Sequence, residues 1–406
     1  MNNFIARRRL LKGAVHAALL APLANVATLA LAGNNTQQSA RFVLVVLRGG
    51  LDGLAAVPAI GDSAFAAARG PLGQFVTPAL TLDSTFALHP ALVQMHALYG
   101  KQELAVLHAV GLPYRERSHF DAQQVLESGG SKPYELSTGW LGRALTANGQ
   151  RAVAINTAVP LVLRGATQVD SWAPSVLPEP TADLLARLQT MYHHDADLGQ
   201  ALARARNLRA SPGMTEMNDM GAAAPNRYGA VALARKAGEL LLQPGGASVA
   251  VLELGGWDSH ANQAAPNGAL VNNLRTLDAM VAALRDALSA PSASVGTHNA
   301  WQNTVVVVAS EFGREVAING TQGTDHGTGG AAFVLGGAVR GGRVLTDWPG
   351  LASNQRFEGR DLRITTDLRA VLRPVLAQHL GVPKLALDRE VFPGSQGVRD
   401  LDLLRA

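Results

Sequence analysis

Histidine and carboxylate side chains collect after four runs of apolar residues. Asp258 and His260 follow two glycines, and their spacing of two residues points both side chains to the same side of an extended segment. Asp325 and His326 form a second carboxylate–imidazole pair between glycines. Such mixed oxygen and nitrogen ligands suit a divalent ion and do not distinguish Zn, Mn or Mg. The polar clusters are Arg48–Gly53, Arg115–Asp121, Gly255–His260, Ser310–Arg314 and Gly323–Gly327.

Several of these residues also have a purely structural interpretation. Asp52 can hold a turn through its own backbone, and Ser118 with Asp121 three residues later matches a helix capping box. Glu311 is harder to explain in this way, because an unpaired carboxylate directly after a buried valine run is costly. Arg314 could be the partner of Glu311, or it could bind an anionic substrate.

The apolar runs predict the strands of a largely parallel sheet. Runs without alternation are typical of strands buried on both faces, and helical patterns lie between them at about 88–100, 120–128, 182–208, 227–242, 267–289 and 366–380. This alternation predicts an α/β fold, a doubly wound sheet sandwiched by helices, in which ligands bind at the carboxyl ends of the strands. The predicted strands are Arg41–Leu47, Leu104–Val110, Ser248–Leu254, Thr304–Ala309 and the shorter Ala331–Leu335.

Composition excludes several classes of protein. The 406 residues are 47% hydrophobic and contain no cysteine, so disulfides, cysteine-bound metals and thiol catalysis are excluded. The net charge of +4 comes from four basic residues within residues 1–32, and the remaining chain has 31 basic and 31 acidic residues. A chain balanced in this way offers no electrostatic footprint for nucleic acid. It contains neither a Gly-x-Ser-x-Gly motif nor a phosphate-binding Walker loop.

Residues 1–32 predict a signal peptide of the twin-arginine type. Arg7-Arg8-Arg9 is followed by two leucines and Lys12, then by an Ala-rich apolar stretch that ends in Ala30-Leu31-Ala32. An uncleaved membrane anchor is the alternative, although Pro22, Asn25 and Thr28 dilute the stretch. We expect a periplasmic or secreted bacterial protein that meets the twin-arginine export machinery and has no membrane span in its mature form.

The rest of the chain predicts one large domain. Residues 33–40 are polar and form a tether, and residues 41–406 form the domain. Within it, residues from about 145 to 245 contain more helix and loop than strand, which predicts an insertion or cap on the same core. A loop is expected at residues 211–226, which are rich in Pro, Gly, Met and Asn.

Five ordered motifs resemble the domain-of-unknown-function 1501 family. They are Leu-Arg48-Gly-Gly-Leu-Asp52, Arg117-Ser-His-Phe-Asp121, Gly255-Gly-Trp-Asp258-Ser-His260, Ser310-Glu-Phe-Gly-Arg314 and Gly323-Thr-Asp-His-Gly327. The resemblance spans essentially the whole mature chain. It implies an alkaline-phosphatase-like fold, related to sulfatases and phosphoglycerate mutases, for a family without a settled activity.

The resemblance also implies roles for individual residues. The position of the nucleophile corresponds to Ser118 or His119, at a helix start suited to anions. Phe312 occupies the place of a metal ligand but cannot bind metal, and so we expect one or two ions. Asp325 either joins the site or orients His326. The resemblance places Asp52, Asp258, His260, Glu311 and His326 in metal-ligand positions, and the residue pattern adds Asp325 as a further candidate ligand.

The leading hypothesis is an exported metal-dependent hydrolase of phosphate or sulfate esters. Ser118 would attack, His119 would transfer protons, and Arg117 and Arg314 would bind the anionic ester of a small molecule or polymer. The alternative is a non-catalytic exported protein that keeps a degenerate site for binding or assembly, which Phe312 favours. A reaction unlike ester hydrolysis also remains open, because a fold does not dictate function.

Overall fold

A nine-stranded sheet with helices on both faces forms the centre of the molecule in the computed structural model of the chain. The structure describes residues 40–405, apart from 167, 175–179, 210–226 and 292–298. The signal predicted at residues 1–32 and the loop predicted at 211–226 lie outside the described residues. The prediction of a doubly wound α/β fold is confirmed.

The sheet is parallel except for one strand. Its order is β10-β4-β9-β8-β1-β7-β5-β6, with β11 paired to the end of β4. Only β9 runs antiparallel to its neighbours β4 and β8 in this sheet. The strands are β1 Arg41–Leu47, β2 Leu80–Thr81, β3 Ala87–Leu88, β4 Leu104–Gly111, β5 Ala152–Ala154, β6 Val169–Ser171, β7 Val249–Leu254, β8 Thr304–Ser310, β9 Gly330–Leu335, β10 Arg343–Leu345 and β11 Thr366–Asp367.

Helices pack against both faces of this sheet, and β2 and β3 form a separate hairpin. Short 3₁₀ and π turns join several of them. The α-helices are α1 Gly53–Ala56, α2 Phe65–Arg69, α3 Val93–Gly100, α4 His119–Ser128, α5 Trp140–Asn148, α6 Ala182–Met191, α7 Ala196–Arg209, α8 Arg227–Leu241, α9 Ala269–Ser289, α10 Arg369–Pro374 and α11 Lys384–Ala386.

Side chains of the central strands alternate between two hydrophobic cores. In β1, Phe42 and Leu44 face a core shared with α4 and α5, whereas Val43 and Val45 face a core shared with α8 and α9. Successive residues of a strand point to opposite faces, so a strand covered on both sides is apolar throughout. This double burial explains why the strands appear in the sequence as continuous apolar runs.

The helix predicted over residues 182–208 is interrupted. It is divided into α6 and α7, and the Oδ1 atom of Asp195 accepts hydrogen bonds from the backbone N–H groups of Asp197 at 3.1 Å and Leu198 at 2.9 Å. An aspartate in this position satisfies the first free N–H groups of a new helix. Asp195 therefore starts α7 and ends the continuous pattern.

The stretch from 145 to 245 also contributes to the sheet. Its strands β5 and β6 extend the edge beyond β7 in parallel, and α8 packs on the core beside α9. No helix among the described residues combines the length and apolar character needed to cross a bilayer.

The topology brings the predicted polar clusters to one edge. β1, β7 and β8 are neighbours and parallel, so the residues that follow them lie together. Because β9 is antiparallel, the segment that precedes it starts from the same edge. The residues after β4 join them, since β4 runs in the same direction as β8.

Candidate metal centre

Three imidazole rings and one carboxylate meet at this edge of the sheet. His119 is the first residue of α4, His260 follows β7, and His326 precedes β9. The Nε2 atom of His326 lies 3.0 Å from that of His119 and 3.1 Å from that of His260. The Oδ1 atom of Asp258 lies 2.9 Å from His260 Nε2 and 3.1 Å from His326 Nε2. We call these four residues the histidine cluster.

Each ring of the histidine cluster is held by a hydrogen bond at its other nitrogen, Nδ1. Carbonyl and carboxylate oxygens accept hydrogen bonds, so the proton of each neutral ring resides on Nδ1. The lone pair of each Nε2 atom then faces the centre of the cluster. The Nδ1 partners are Glu311 Oε1 for His119 at 2.8 Å, Asp325 Oδ1 for His260 at 3.0 Å and the Arg117 carbonyl oxygen for His326 at 2.9 Å.

This arrangement fits one divalent metal ion. Nitrogen lone pairs and a carboxylate about 3 Å apart repel one another unless a proton or a cation lies among them. The ligand atoms of His119, Asp258 and His326 all lie within 4.8 Å of one another. A tetrahedral site with ligand distances of about 2.1 Å separates its ligand atoms by about 3.4 Å, close to the 3.0 Å between His119 and His326 and the 3.1 Å between Asp258 and His326. This set of three does not include His260, which contacts Asp258 and His326. Hydrogen bonds at Nδ1 are also the usual means by which proteins orient metal-binding histidines.

The buried carboxylate of Glu311, which follows β8, lies on the Nδ1 side of His119. Its carboxylate oxygens accept hydrogen bonds from several segments of the chain. Burial alone would raise the pKa of Glu311, but the hydrogen bond to His119 and the backbone N–H groups lower it, which keeps the group ionised. Its sequence position predicted a metal ligand, and the structure places its carboxylate in hydrogen-bond contact with His119. The donors are His119 Nδ1 at 2.8 Å, Gly49 N at 2.8 Å, Ser310 Oγ at 2.9 Å and Gln123 Nε2 at 3.2 Å.

Asp325 has the same relation to His260. Its Oδ1 atom accepts from His260 Nδ1 and, at 3.0 Å, from the side-chain amide of Asn319. The hydrogen bonds from Asn319 and His260 lower the pKa of Asp325. The sequence predicted a ligand or a partner of His326, and the structure shows a partner of His260.

Two glycines allow these segments to approach one another. Gly49 has φ of +119°, and a Cβ atom there would lie 2.6 Å from the backbone nitrogen of Asp258. A Cβ atom at Gly323 would lie 2.2 Å from the carbonyl carbon of His260. Any side chain at either position would displace the segment that carries Asp258 and His260. These two glycines therefore allow close contacts between segments of the chain.

Arg314 fixes the charge of Asp258. Its guanidinium is fully buried and donates from Nη1 to Asp258 Oδ1 at 2.6 Å, while Nε donates to the Thr324 hydroxyl at 3.2 Å. Burial would raise the pKa of Asp258, but the hydrogen bond and charge of Arg314 hold it at about 2. The sequence left Arg314 as either a partner of Glu311 or an anion-binding group; in the structure it is the partner of Asp258.

Asp52 lies apart from the histidine cluster. Its Oδ1 atom accepts from the N–H of Ala55 at 3.0 Å and caps α1, and its Oδ2 atom accepts from Arg69 and Gln263. Both oxygens are thereby occupied by buried partners. The structure does not bring this predicted metal ligand to the cluster, because Arg69, from α2, is buried against it and forms an ion pair. The structural interpretation of Asp52, as a residue that holds a turn, agrees with the hydrogen bond that its Oδ1 atom accepts from Ala55.

The structure also places Ser118 and Arg117 next to the cluster. Ser118 precedes α4, but its side chain makes no capping hydrogen bond, and its hydroxyl contacts the phenol of Tyr114 instead. The expected capping box is therefore absent. The guanidinium of Arg117 is paired with Asp361 at 2.8 Å and Glu358 at 2.6 Å, so neither it nor Arg314 is left without a carboxylate.

Phe312 packs under the imidazoles. The centroid of its buried ring lies 4.7 Å from that of His119 and 5.2 Å from that of His326. An apolar ring at this position cannot supply a ligand, and it closes one side of the cluster.

A family model described as protein of unknown function (DUF1501) matches residues 78–385. The chain belongs to the DUF1501 family. The match covers the segments that carry all four residues of the histidine cluster, and the resemblance of the sequence motifs to this family is confirmed.

Solved structures similar to this DUF1501 chain include a sulfatase, a phosphonate monoester hydrolase and a periplasmic domain. The PsFucS1 sulfatase from Pseudoalteromonas sp. is 13% identical, with a TM-score of 0.40 over 90% of this chain and 71% of that one. The phosphonate monoester hydrolase of Agrobacterium radiobacter is 14% identical, with a TM-score of 0.37 over 84% and 74%. The C-terminal periplasmic domain of EcEptC from Escherichia coli, in complex with Zn, is 11% identical, with a TM-score of 0.34 over 73% of each chain. No curated protein sequence matches this chain.

Sequence reasoning missed three residues that support the site in this DUF1501 chain. Gln123 lies four residues after His119, so helical spacing could have placed it on the same face of α4. Arg69 and Gln263 carry no comparable signal, since each meets Asp52 only through the tertiary fold. For His119, which was predicted for proton transfer, the structure shows contacts of Nδ1 with Glu311 and of Nε2 with His326.

Proposed function

We propose that this chain is a metal-dependent hydrolase of phosphate or sulfate esters that holds one divalent ion in the histidine cluster. The convergence of three anchored imidazoles on the carboxylate of Asp258 carries the proposal. Asp258 and His260 are each 44% exposed, so a substrate can reach the cluster from solvent. A bound divalent ion would polarise an ester oxygen and stabilise its developing negative charge.

The chain's own residues prepare the site for an anionic ester. Glu311 and Asp325 keep the Nε2 atoms of His119 and His260 directed at the centre. Arg314 keeps Asp258 ionised, so that the four ligands together contribute a single negative charge. A divalent ion in such a site retains a net positive charge, which favours phosphate or sulfate esters over neutral substrates.

Ser118 remains the proposed nucleophile. Its hydroxyl contacts the phenol of Tyr114, which donates to the carboxylate of Asp121 at 3.2 Å. A proton leaving Ser118 could therefore pass through the Tyr114 hydroxyl to Asp121. In this proposal His119 holds the ion and takes no part in proton transfer.

Metal content and hydrolysis test the proposal together. Protein purified without chelator should contain about one equivalent of Zn, Mn or Mg by mass spectrometry. It should hydrolyse 4-nitrophenyl phosphate or 4-nitrophenyl sulfate. An Asp258→Ala/His260→Ala variant should lose both properties, whereas His193→Ala, an exposed histidine on the segment between α6 and α7, should keep both. Hydrolysis that persists in the double variant would refute the proposal.

A non-catalytic role is the second candidate. Phe312 favours it, because its ring excludes the ligands of a second ion from that side of the cluster. Such a protein would bind metal and hydrolyse neither ester. Metal binding with no turnover of either nitrophenyl ester would support this candidate over the hydrolase.

We also propose that the protein is exported by the twin-arginine route and acts outside the cytoplasm as one domain, residues 41–406. The twin arginines and apolar stretch of residues 1–32 support this proposal. Twin-arginine export carries folded proteins, which would allow the histidine cluster to take up its ion before export.

A further inference from the structure

A cavity of about 430 Å³ adjoins α4, the helix that starts at His119, and is not used by the chemistry proposed above. The cavity and the histidine cluster share the first turns of α4: Phe120, which directly follows His119, lines the cavity. Gln123 lines it as well and donates to Glu311, the carboxylate that holds His119. The volume lies within the range of about 300 to 1,000 Å³ for small-molecule sites.

The charges that line the cavity are balanced. Arg48 sits between Glu127 at 2.7 Å and Glu253 at 2.6 Å, which leaves one negative charge in excess. The exposed Arg164 supplies the compensating positive charge.

Amide groups in the lining can both donate and accept. Gln123, Gln124 and Asn156 line the cavity together with the residues of the paired carboxylates, and the amide oxygen of Asn156 already accepts from the N–H of Thr157 at 2.7 Å. Within the described part of the chain, the Gln124 amide has no hydrogen-bond partner. A purely apolar ligand would bury these groups without partners and would lose free energy by doing so.

Two aromatic side chains that line the cavity are exposed to solvent. Phe120 is 80% exposed and Tyr134 is 69% exposed, although both would gain free energy by burial. Tyr134 has φ of +58°, a left-handed conformation that is rare for a bulky residue. The loop is fixed by Glu135, whose carboxylate accepts from the N–H groups of Ser131 at 2.9 Å and Lys132 at 3.2 Å. Backbone strain that keeps an aromatic ring exposed is characteristic of ligand-binding sites.

We propose that this cavity binds a pyranose sugar residue and presents an ester on that sugar to the histidine cluster. A pyranose ring has an apolar C–H face that can lie on Phe120 or Tyr134, and hydroxyl groups that both donate to and accept from amides and carboxylates. It carries no charge, which matches the balanced lining. Delivery of the ester rests on the proposed function, whereas sugar binding requires the cavity alone.

Binding is tested on the metal-free full chain. Methyl pyranosides of glucose, galactose, mannose and fucose, with adenosine as a competing aromatic ligand, would be titrated by saturation-transfer NMR. We expect at least one glycoside to bind with a millimolar Kd, and adenosine not to displace it. Phe120→Ser and Tyr134→Asn should each weaken binding by about tenfold or more; asparagine tolerates the left-handed conformation, which guards against misfolding. Val76→Ser, 95% exposed and outside the cavity, is the matched control.

The outcomes separate this inference from the proposed hydrolase. Sugar binding that depends on both rings, in a protein that hydrolyses neither nitrophenyl ester, would support the cavity and refute the hydrolase. Ester hydrolysis without binding of any of the four glycosides would overturn the sugar site and leave the hydrolase standing. Displacement by adenosine, or binding unchanged in both variants, would also overturn it.

Discussion

At the scale of single residues, the geometry of the site depends on the groups that form hydrogen bonds with its side chains. An imidazole ring can rotate unless one of its nitrogens is fixed by a hydrogen bond. Here the carboxylates of Glu311 and Asp325 accept such hydrogen bonds from the Nδ1 atoms of His119 and His260. A carboxylate behind a histidine also increases the basicity of the nitrogen that faces the metal. In the proposed metal centre, Glu311 is therefore a positioning residue whose removal should alter metal binding.

Glu311→Gln should weaken metal affinity by about 10- to 100-fold, because the amide keeps the shape of the side chain but removes its charge. Affinity would be measured by competition with a chromophoric chelator. Glu239→Gln, on the surface side of α8, is the control and should leave the affinity unchanged. If Glu311→Gln binds metal as tightly as the wild type, Glu311 is not needed to position His119.

At the scale of elements, a buried polar chain joins α2 to the cluster. Arg69 pairs with Asp52, Gln263 bridges Asp52 to the Thr324 hydroxyl, and that hydroxyl accepts from Arg314. All five side chains are buried. Buried ions are tolerated only when each is paired, so removal of one partner from this network should destabilise the fold.

Asp52→Asn should lower the free energy of unfolding by about 3 to 5 kcal/mol, because it leaves the charge of Arg69 buried and uncompensated. Asp52→Asn combined with Arg69→Met should recover much of this loss, since no unpaired charge then remains. Urea unfolding of the two single variants and the double variant measures the coupling. Additive losses would show that the pair contributes nothing as a pair.

His108, in the middle of β4, should make stability depend on pH. It is fully buried against the rings of Phe86 and Trp348, which also contact each other, and burial lowers the pKa of His108 to about 4. The folded state therefore binds this proton less readily than the unfolded state, whose pKa is near 6.5. Stability is fully present above pH 6.5 and falls as the pH drops toward 4, by on the order of 3 kcal/mol in total.

Urea unfolding at pH 7.5 and pH 4.5 would measure this loss, and His108→Asn should reduce it. His193→Asn, an exposed histidine, should keep the dependence of the wild type. An equal loss of stability in the wild type and in His108→Asn would contradict the assignment to His108.

At the scale of the whole molecule, residues 1–32 should govern where the protein acts. Replacing Arg7 and Arg8 with lysine should leave the protein in the cytoplasm, because the twin-arginine machinery distinguishes arginine from lysine at these positions. Cell fractionation and mass spectrometry of the mature N-terminus, expected at Gly33, provide the measurement. Arg275→Lys, exposed on α9, should be exported normally. Export of the Arg7→Lys/Arg8→Lys variant would exclude the route.

Much of the fold could be predicted from the sequence, because a strand that is buried on both faces appears in the sequence as a continuous run of apolar residues. The runs of β1, β4, β7 and β8 are apolar at most of their buried positions, with His108 the exception inside β4, and the polar residues that end them mark one edge of the sheet. That pattern needs no knowledge of partners. It was therefore sufficient to predict the parallel sheet and to bring Asp258, His260 and His326 together.

The roles within the site were decided by the tertiary structure. Whether Glu311 binds an ion or holds His119 depends on a residue 192 positions away, and no local pattern records that separation. The same holds for Asp52, which the buried Arg69 and Gln263 occupy. A run of apolar residues also does not specify direction, so the antiparallel course of β9 was not predicted. The burial of each residue is reflected in its own residue type. The pairing of distant charged residues, in contrast, is determined only when the order of strands in the sheet places them side by side.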